Sequence, residues 1–384
     1  MSASALDVLE GLRAKARAVG LEHSAAIAEM EEEPAARAAL AALSAAGLIA
    51  WCVPARDGGA DTSGLAGEDS VSVRALSALR DELAWHSPML DVMLVMQGLG
   101  SYAVARAGSA VLRSDVLPGV VSGNAIAAFG LTEPGAGSSL ADVSTRAEKT
   151  AAGWRLSGHK TFISNCGIAR FYSVLARTSG EPGDKDGLSM FFVPADVFGV
   201  ECEPFEVMAP HPIGDVHFHD VELPADFLLG EEGAGMELAL SVLARFRTSV
   251  AAAANGFSRR ALDESVKHLK SREQFGRPLS SFQGLRFDLA EMDVRLRAAQ
   301  LLVNEAADLS DREDPRADHA VARAKLYATE SAGYICDRAV QHHGGLGVKR
   351  GTTVEHLYRD VRALRIYEGA SEVQKLILAS KVLA

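Results

Sequence analysis

Positive charge is scarce in this chain. Lysine and arginine number 39 against 50 acidic residues, a formal net charge of −11 at pH 7. Such an acidic chain offers a polyanion no natural face, so neither nucleic acid nor an anionic membrane surface is expected as its main partner. Cysteine is scarce too. Cys52, Cys166, Cys202 and Cys336 lie far apart, with no CxxC pair and no metal-ligand spacing. They read as reduced, inert thiols of a cytoplasmic chain. No apolar run approaches the ~20 residues of a membrane span, so no membrane insertion is expected. The N-terminus "MSASALDVLEGLRAKARAVG" has no cationic segment followed by an apolar core, and no secretory signal is read there.

What remains is a chain of 384 residues, 48% of them hydrophobic, long enough for a large core and more than one domain. It divides into three parts. Residues 1–122 are rich in Ala, Leu and Glu and read as helical, with breaks at "VPARDGGAD" and at Pro88. Residues 123–231 carry short alternating or apolar runs bounded by turn residues, such as "GWRLSGHKTFISN", "YSVLART", "SMFFVPAD" and "DVHFHDVEL". These are expected to be strands of an antiparallel β domain. Residues 232–384 return to helix. Leu285, Leu289, Met292, Leu296, Ala299, Val303 and Ala306 are spaced by fours and threes, the seam of a long bundle helix. Two more helices are expected near 316–342 and 370–382.

Several local patterns bear on chemistry. "AFGLTEPGAGSS", residues 128–139, is either a surface turn cluster or a ligand loop whose glycines and hydroxyls let the backbone approach a polar group. It lacks the third glycine of a dinucleotide fingerprint. "GWRLSGHKT" nearly spells a phosphate loop, but His159 is one residue too many before Lys160, and its first half alternates like a strand. Asp215, His217 and His219 fall on one strand face, a spacing that suits metal ligands. A solvated outer face explains it as well, and no metal is expected. His342 and His343 are adjacent, so in a helix they diverge by about 100° and do not share an ion. "VQHHGGLGVKRG" is either a glycine helix cap or a bend that admits a cofactor.

Taken together, "AFGLTEPGAGSSLADVSTRAE", "GWRLSGHKTFISN", "SREQFGRPLSSFQ", "AVQHHGGLGV" and "LYRDVRALRIYEGASEVQKLILA" resemble, in this order, the acyl-CoA dehydrogenases. The resemblance implies an α+β fold: an N-terminal helical domain, a middle β domain and a C-terminal four-helix bundle. It also implies FAD, held between the β domain and the bundle, and a homotetramer built as a dimer of dimers. Phe129, Leu131 and Thr132 are implied to line the flavin ring, Gly137 and Ser138 to meet phosphate and thioester ligand, and Phe162 and Ser164 to cover the far flavin face. Arg272, Phe275 and Gln283 would reach the FAD of a neighbouring subunit, and Gln341 and Gly345 its adenosine and pyrophosphate end.

The same resemblance makes Glu368 in "RIYEGASEVQ" the catalytic base for the α-proton of an acyl thioester, with the β-hydrogen passing as hydride to flavin N5. A base must lie within hydrogen-bond reach of its proton. A carboxylate enclosed by Tyr367, an apolar substrate and a flavin loses hydration, so its pKa is expected to rise. Negative charge growing on the thioester oxygen would meet the backbone N–H of the base and a ribityl hydroxyl. Gly369 is expected to start the next helix and admit the ligand, Arg247 to organise the site, and Glu372 to be a first-turn helix acid. Relatives that carry the base on the helix of "LARFRTSV" have it where Phe246 stands here. "APHPIGD" replaces a Gly-Arg-Ser-type segment, and Ala370 replaces a threonine. The combination resembles members acting on cyclic carboxyl-CoA thioesters, with branched acyl-CoA or a carrier-protein thioester as alternatives. An electron-transfer flavoprotein is the implied acceptor. A flavin oxidase or monooxygenase, and a non-catalytic helical binding homologue, are the other readings.

Overall fold

The structure is a computed structural model that describes residues 3–67 and 69–383, so the terminal residues Met1 and Ala384 of the expected domains lie outside it. Packing divides the described residues into two units. One draws on Met1–Leu21, Val73–Asp91 and Arg247–Ala384, the other on Glu22–Ser72 and Val92–Phe246. Helices α1 (Ala3–Ala28), α4 (Pro88–Ala107) and α6 (Gly235–Ser271) contribute residues to both. This division groups residues by proximity in space, whereas the three compositional segments follow chain order.

The second unit is built on a sheet. Its strands are β1 (Ala127–Gly130), β2 (Arg146–Lys149), β3 (Gly153–Ser164), β4 (Phe171–Arg177), β5 (Leu188–Pro194), β6 (Val200–Pro204), β7 (Ile213–Pro224) and β8 (Leu228–Leu229). They run in the order β6-β7-β3-β2-β4-β5-β8, with β1 also beside β4. All pairings are antiparallel except those of β1 and β2 with β4. Parallel pairing suits β4, whose seven residues are all buried, Ser173 and Arg177 among them. Helices α2 (Glu32–Ala45) and α5 (Ala110–Val121) belong to this unit. Gly100 of α4 lies so close to β1 that a Cβ would stand 2.6 Å from Ala127 Cβ and Ala128 N. Gln97 bridges the same two elements, its Oε1 accepting from Ala127 N at 2.8 Å.

The first unit is helical: α3 (Val73–His86), most of α6, α7 (Gln283–Asp311), α8 (Ala317–His343), α9 (Thr353–Asp360) and α10 (Ser371–Leu383). The expected seam of α7 is buried from Met292 through Leu296, Ala299, Val303 and Ala306, with Leu285 and Leu289 half-buried. Asp311, at the end of α7, accepts from Val73 N at 2.6 Å and Arg74 N at 3.2 Å, so a carboxylate remote in sequence caps α3. The short helix α9 went unread in the sequence, since eight residues carry too little periodicity. A hairpin of β9 (Glu273–Gln274) and β10 (Arg277–Pro278) turns on Phe275 and Gly276, both at positive φ.

Among the described residues, α4 is long and apolar enough to cross a membrane by length and composition, although 89% of it is buried in the protein. Asp91 and Arg106 interrupt its apolar text, which is why no run of that length stood out in the sequence.

Candidate active site

The segment between the single 3-10 turn Ala363–Arg365 and α10 forms a strained turn. Glu368 has φ +51° and Gly369 φ +91°. A left-handed conformation is unfavourable for a glutamate and persists only where neighbours over-determine it. Arg247 Nε donates to the Glu368 carbonyl at 2.8 Å. Lys325 Nζ and Gln374 Nε2 donate to the Gly369 carbonyl at 2.6 and 3.0 Å. Glu330 of α8 fastens both ends of the turn, accepting from Arg365 Nη1 at 3.1 Å and from Ser371 Oγ at 2.6 Å. The φ of +91° is what requires glycine at 369, and a Cβ there would in addition push aside the Gln374 amide, 2.5 Å away. Gly369 lies two residues before α10 and does not start it, because Ser371 and not the glycine takes the first helical place.

The Glu368 carboxyl is enclosed, and its Oε2 has no hydrogen-bond partner among the described residues. Burial raises its pKa, against the opposing charges of Arg80, Arg247 and Lys325. Burial in turn lowers Lys325 to about 8, partly offset by Glu368. Arg80 is itself fully buried and bidentate on Asp91, at 2.7 and 2.8 Å, with Ser249 Oγ at 3.0 Å. Tyr367 and Ile366 are exposed beside it, and Glu372 stands in the first turn of α10. Arg80, Asp91, Lys325 and Glu330 were not singled out in the sequence. They sit on three helices, α3, α4 and α8, with no local pattern to mark them.

A second group of predicted residues lies in the sheet unit. Leu131 is buried, Phe129 and Thr132 are half-buried, and Gly137 and Ser138 are exposed past a tight turn in which Glu133 and Ala136 exchange both backbone hydrogen bonds. Thr161 N donates to the Thr132 carbonyl at 2.9 Å, so the loop after β1 is stitched to β3. Beneath it Lys160, wholly buried, donates to Leu131 O at 3.0 Å and Glu133 Oε1 at 2.8 Å. Glu133 also accepts from Ser144 N, Ser144 Oγ and Thr145 N at 2.8, 2.6 and 3.0 Å. Burial alone would raise this carboxyl, but Lys160 and the donors of Ser144 and Thr145 bring it down to about 2. The sequence did hold a signal for Lys160: period-two alternation from Trp154 and Leu156 puts it on the buried side.

Between Lys160 and Ile163 the register of β3 against β7 shifts. There Phe162 takes φ +55° and turns outward, 61% exposed, against Phe205 at 5.2 Å between ring centroids. Ser164 Oγ lies 3.2 Å from His211 Nε2, while His211 Nδ1 faces the Ala209 carbonyl at 3.1 Å. A carbonyl only accepts, so Nδ1 carries the proton and Nε2 accepts from Ser164. Burial lowers the His211 pKa and favours that neutral ring. The unusual "APHPIGD" text thus orients the Ser164 hydroxyl. Phe246 is core, edge-on to Tyr102 at 5.6 Å.

The remaining predicted residues belong to the helical unit. Arg272 follows the end of α6 and precedes the hairpin, Phe275 is 91% exposed at its tip, and Gln283 opens α7. Gln341 and Gly345 are exposed at the end of α8, where Gly344 has φ +56°.

Sequence profiles of acyl-CoA dehydrogenases match the chain throughout: the N-terminal domain at residues 7–124, the middle domain at 128–221 and the C-terminal domain at 233–383. The chain is 32% identical over 380 residues to a Mycobacterium bovis protein named as an acyl-CoA dehydrogenase, fadE25, covering 98% of this chain and 95% of that one. It is 33% identical over 340 residues to the cyclohexane-1-carbonyl-CoA dehydrogenase of Geobacter metallireducens, covering 88% and 87%. The solved butyryl-CoA dehydrogenase of Megasphaera elsdenii superposes with a TM-score of 0.89 at 29% identity, covering 98% of each chain.

Proposed function

Since the chain belongs to the acyl-CoA dehydrogenase family, oxidoreductases that are FAD flavoproteins, we propose that Glu368 is the base that removes the α-proton of a bound acyl thioester. The observation that carries this is the turn itself. It is a strained, enclosed carboxylate with a raised pKa and an unpartnered Oε2, pinned by cations that bond its backbone. A better base results, already oriented, which is what proton abstraction from a weak carbon acid requires. Arg247 and Lys325 hold the carbonyls of Glu368 and Gly369, which anchors the turn whose Glu368 N–H would meet the thioester oxygen. Tyr367 and Gly369 would border the acyl group, and Ser138 the thioester.

For FAD, we assign Phe129, Leu131, Thr132, Phe162 and Ser164 to the flavin ring, and Gly137 and Ser138 to its polar side. Arg272, Phe275, Gln283, Gln341 and Gly345 would serve the FAD of a neighbouring copy. Bound there, FAD supplies a hydride acceptor for the β-hydrogen, giving a 2,3-enoyl thioester. A cytoplasmic homotetramer that passes electrons to an electron-transfer flavoprotein completes the reading. Self-association is supported by α7, where Phe287, Val294 and Leu301 repeat at heptad spacing with 63, 62 and 54% exposure. A cyclic or branched acyl-CoA is the favoured substrate, supported by the cyclohexane-1-carbonyl-CoA relative.

The test is anaerobic. The purified protein is mixed with linear, branched and cyclic acyl-CoAs while the oxidised-flavin band is followed. Bleaching by a cyclic or branched ester is the expected outcome. Flavin that stays oxidised with every CoA ester would transfer the proposal to a carrier-protein thioester.

A further inference from the structure

Away from the turn of Glu368, one cluster gathers metal-ligating atoms: His159 on β3 with Asp215 and His217 on β7, all within 4.8 Å of one another. The strand register produces it. His159 stands directly opposite His217, and Asp215, two residues before His217, shares its face. Glu203 on β6 stands opposite Asp215. The two imidazoles are stacked, with centroids 4.1 Å apart and planes 21° from parallel. His159 Nε2 lies 3.3 Å from Asp215 Oδ2, and His217 Nε2 lies 3.7 Å from Glu203 Oε2.

The decisive feature is what these atoms do not bond. His159 Nε2, His217 Nε2 and Asp215 Oδ1 are each shielded from solvent, and none has a hydrogen-bond partner among the described residues. Shielded polar atoms are normally paired, and three that converge on one point from two strands call for a common partner. The next histidine along β7 behaves differently. His219 Nε2 bonds Glu201 at 3.2 Å on the exposed surface, as an ordinary solvated pair does.

We propose that His159, His217 and Asp215 bind one divalent transition-metal ion of the zinc class, with Glu203 as the fourth ligand. Two imidazole nitrogens and a carboxylate suit zinc, cobalt, nickel or copper better than magnesium or calcium, which take all-oxygen shells. Zinc bonds of about 2.0–2.2 Å in a tetrahedron put ligand atoms roughly 3.3–3.5 Å apart. The His159–Asp215 separation already meets that, and small side-chain rotations bring in the others. The ion would staple β3 to β7 between the two register shifts that flank His159, at Leu156/Gly158 and Lys160/Ile163. Its role is structural: it locks the stretch that turns Lys160 inward and Phe162 outward. The inference does not depend on the dehydrogenase reading.

The full-length protein, freed of metal with a chelator, is titrated with zinc chloride by calorimetry. It is then titrated with cobalt chloride while the visible d–d bands are recorded. One saturable equivalent per chain, tetrahedral cobalt bands and a higher melting temperature are expected. His217→Ala and Asp215→Asn should each weaken uptake at least tenfold, and His219→Ala should leave it unchanged. His159→Gln, which keeps most of the side-chain volume, reports on the site if His217→Ala fails to fold. Absence of saturable uptake overturns the proposal. So does uptake that survives His217→Ala and His159→Gln, which would put the ion elsewhere, for example at the stacked His268–His343 pair.

Discussion

The loop holding Glu133 and the turn holding Glu368 each enclose one carboxylate among buried cations, and they treat it in opposite ways. Glu133 is 4% exposed and receives four hydrogen bonds on its two oxygens, one of them from Lys160. Its pKa falls to about 2. Glu368 has Arg80, Arg247 and Lys325 near it, yet its pKa rises. The difference is where the donors point. Arg247 and Lys325 spend theirs on backbone carbonyls, and Arg80 spends its fork on Asp91, so the carboxylate keeps a free oxygen. Hydrogen bonds to a charged form hold it ionised, whereas burial without them favours the proton. One region uses its acid as a strut, and the other keeps its acid reactive.

The comparison breaks most sharply at Glu368. Replacing it with glutamine should cut substrate-driven flavin reduction by about 10²–10⁴-fold, the usual worth of a positioned general base, while leaving the melting temperature nearly unchanged. Stopped-flow absorbance reads the first and calorimetry the second. Near-normal reduction would remove Glu368 from its role. At the strut, Glu133→Gln leaves Lys160 charged and wholly buried, a loss of about 3–5 kcal/mol. Denaturant unfolding should record that loss, and a variant as stable as the parent would mean that the pair is dispensable. Gly369→Ala should cost roughly 1–3 kcal/mol through its positive φ and slow reduction as the turn shifts.

The pH dependence sharpens the same contrast. Glu133 has a folded value of about 2 against a reference of 4.5, so its contribution is present above 4.5 and is lost as pH falls toward 2. Glu368 runs the other way. The folded state holds its proton longer, so ionising it costs stability as pH rises past the unfolded value. Reduction should therefore fail on acidification at a pH above the ordinary glutamate range of about 4.3, and that acid limb should vanish in Glu368→Gln. The loss of stability between about pH 4.5 and 2 that Glu133 contributes should disappear in Glu133→Gln, and a variant whose stability falls as steeply there as the parent's would take the strut role from Glu133.

Much of this architecture was legible in the sequence. The seam from Leu285 to Ala306 marked α7 because helical packing imposes its own period on apolar residues. The alternation of Val216 and Phe218 with Asp215, His217 and His219 marked β7 because a strand presents its side chains to two faces in turn. Glu368 was legible through the family text around it, since that text is continuous. Of the residues that give the acid its character, only Arg247 was legible, and that through the family text. Arg80, Lys325 and Glu330 come from two other helices, and their sequence neighbours say nothing of a shared destination.

The sequence by itself determined the order of helical and strand segments, the family and the position of the candidate base, because each is written in residues that adjoin or recur at a fixed period. Only the tertiary structure decided which of two buried carboxylates gives up its proton readily. It also decided that Phe162 faces out while Lys160 faces in, through a register shift, and that His159 meets Asp215 and His217. Protonation, facing and ligation depend on which groups from distant stretches point at one another, and that direction is fixed only when strands pair and helices pack.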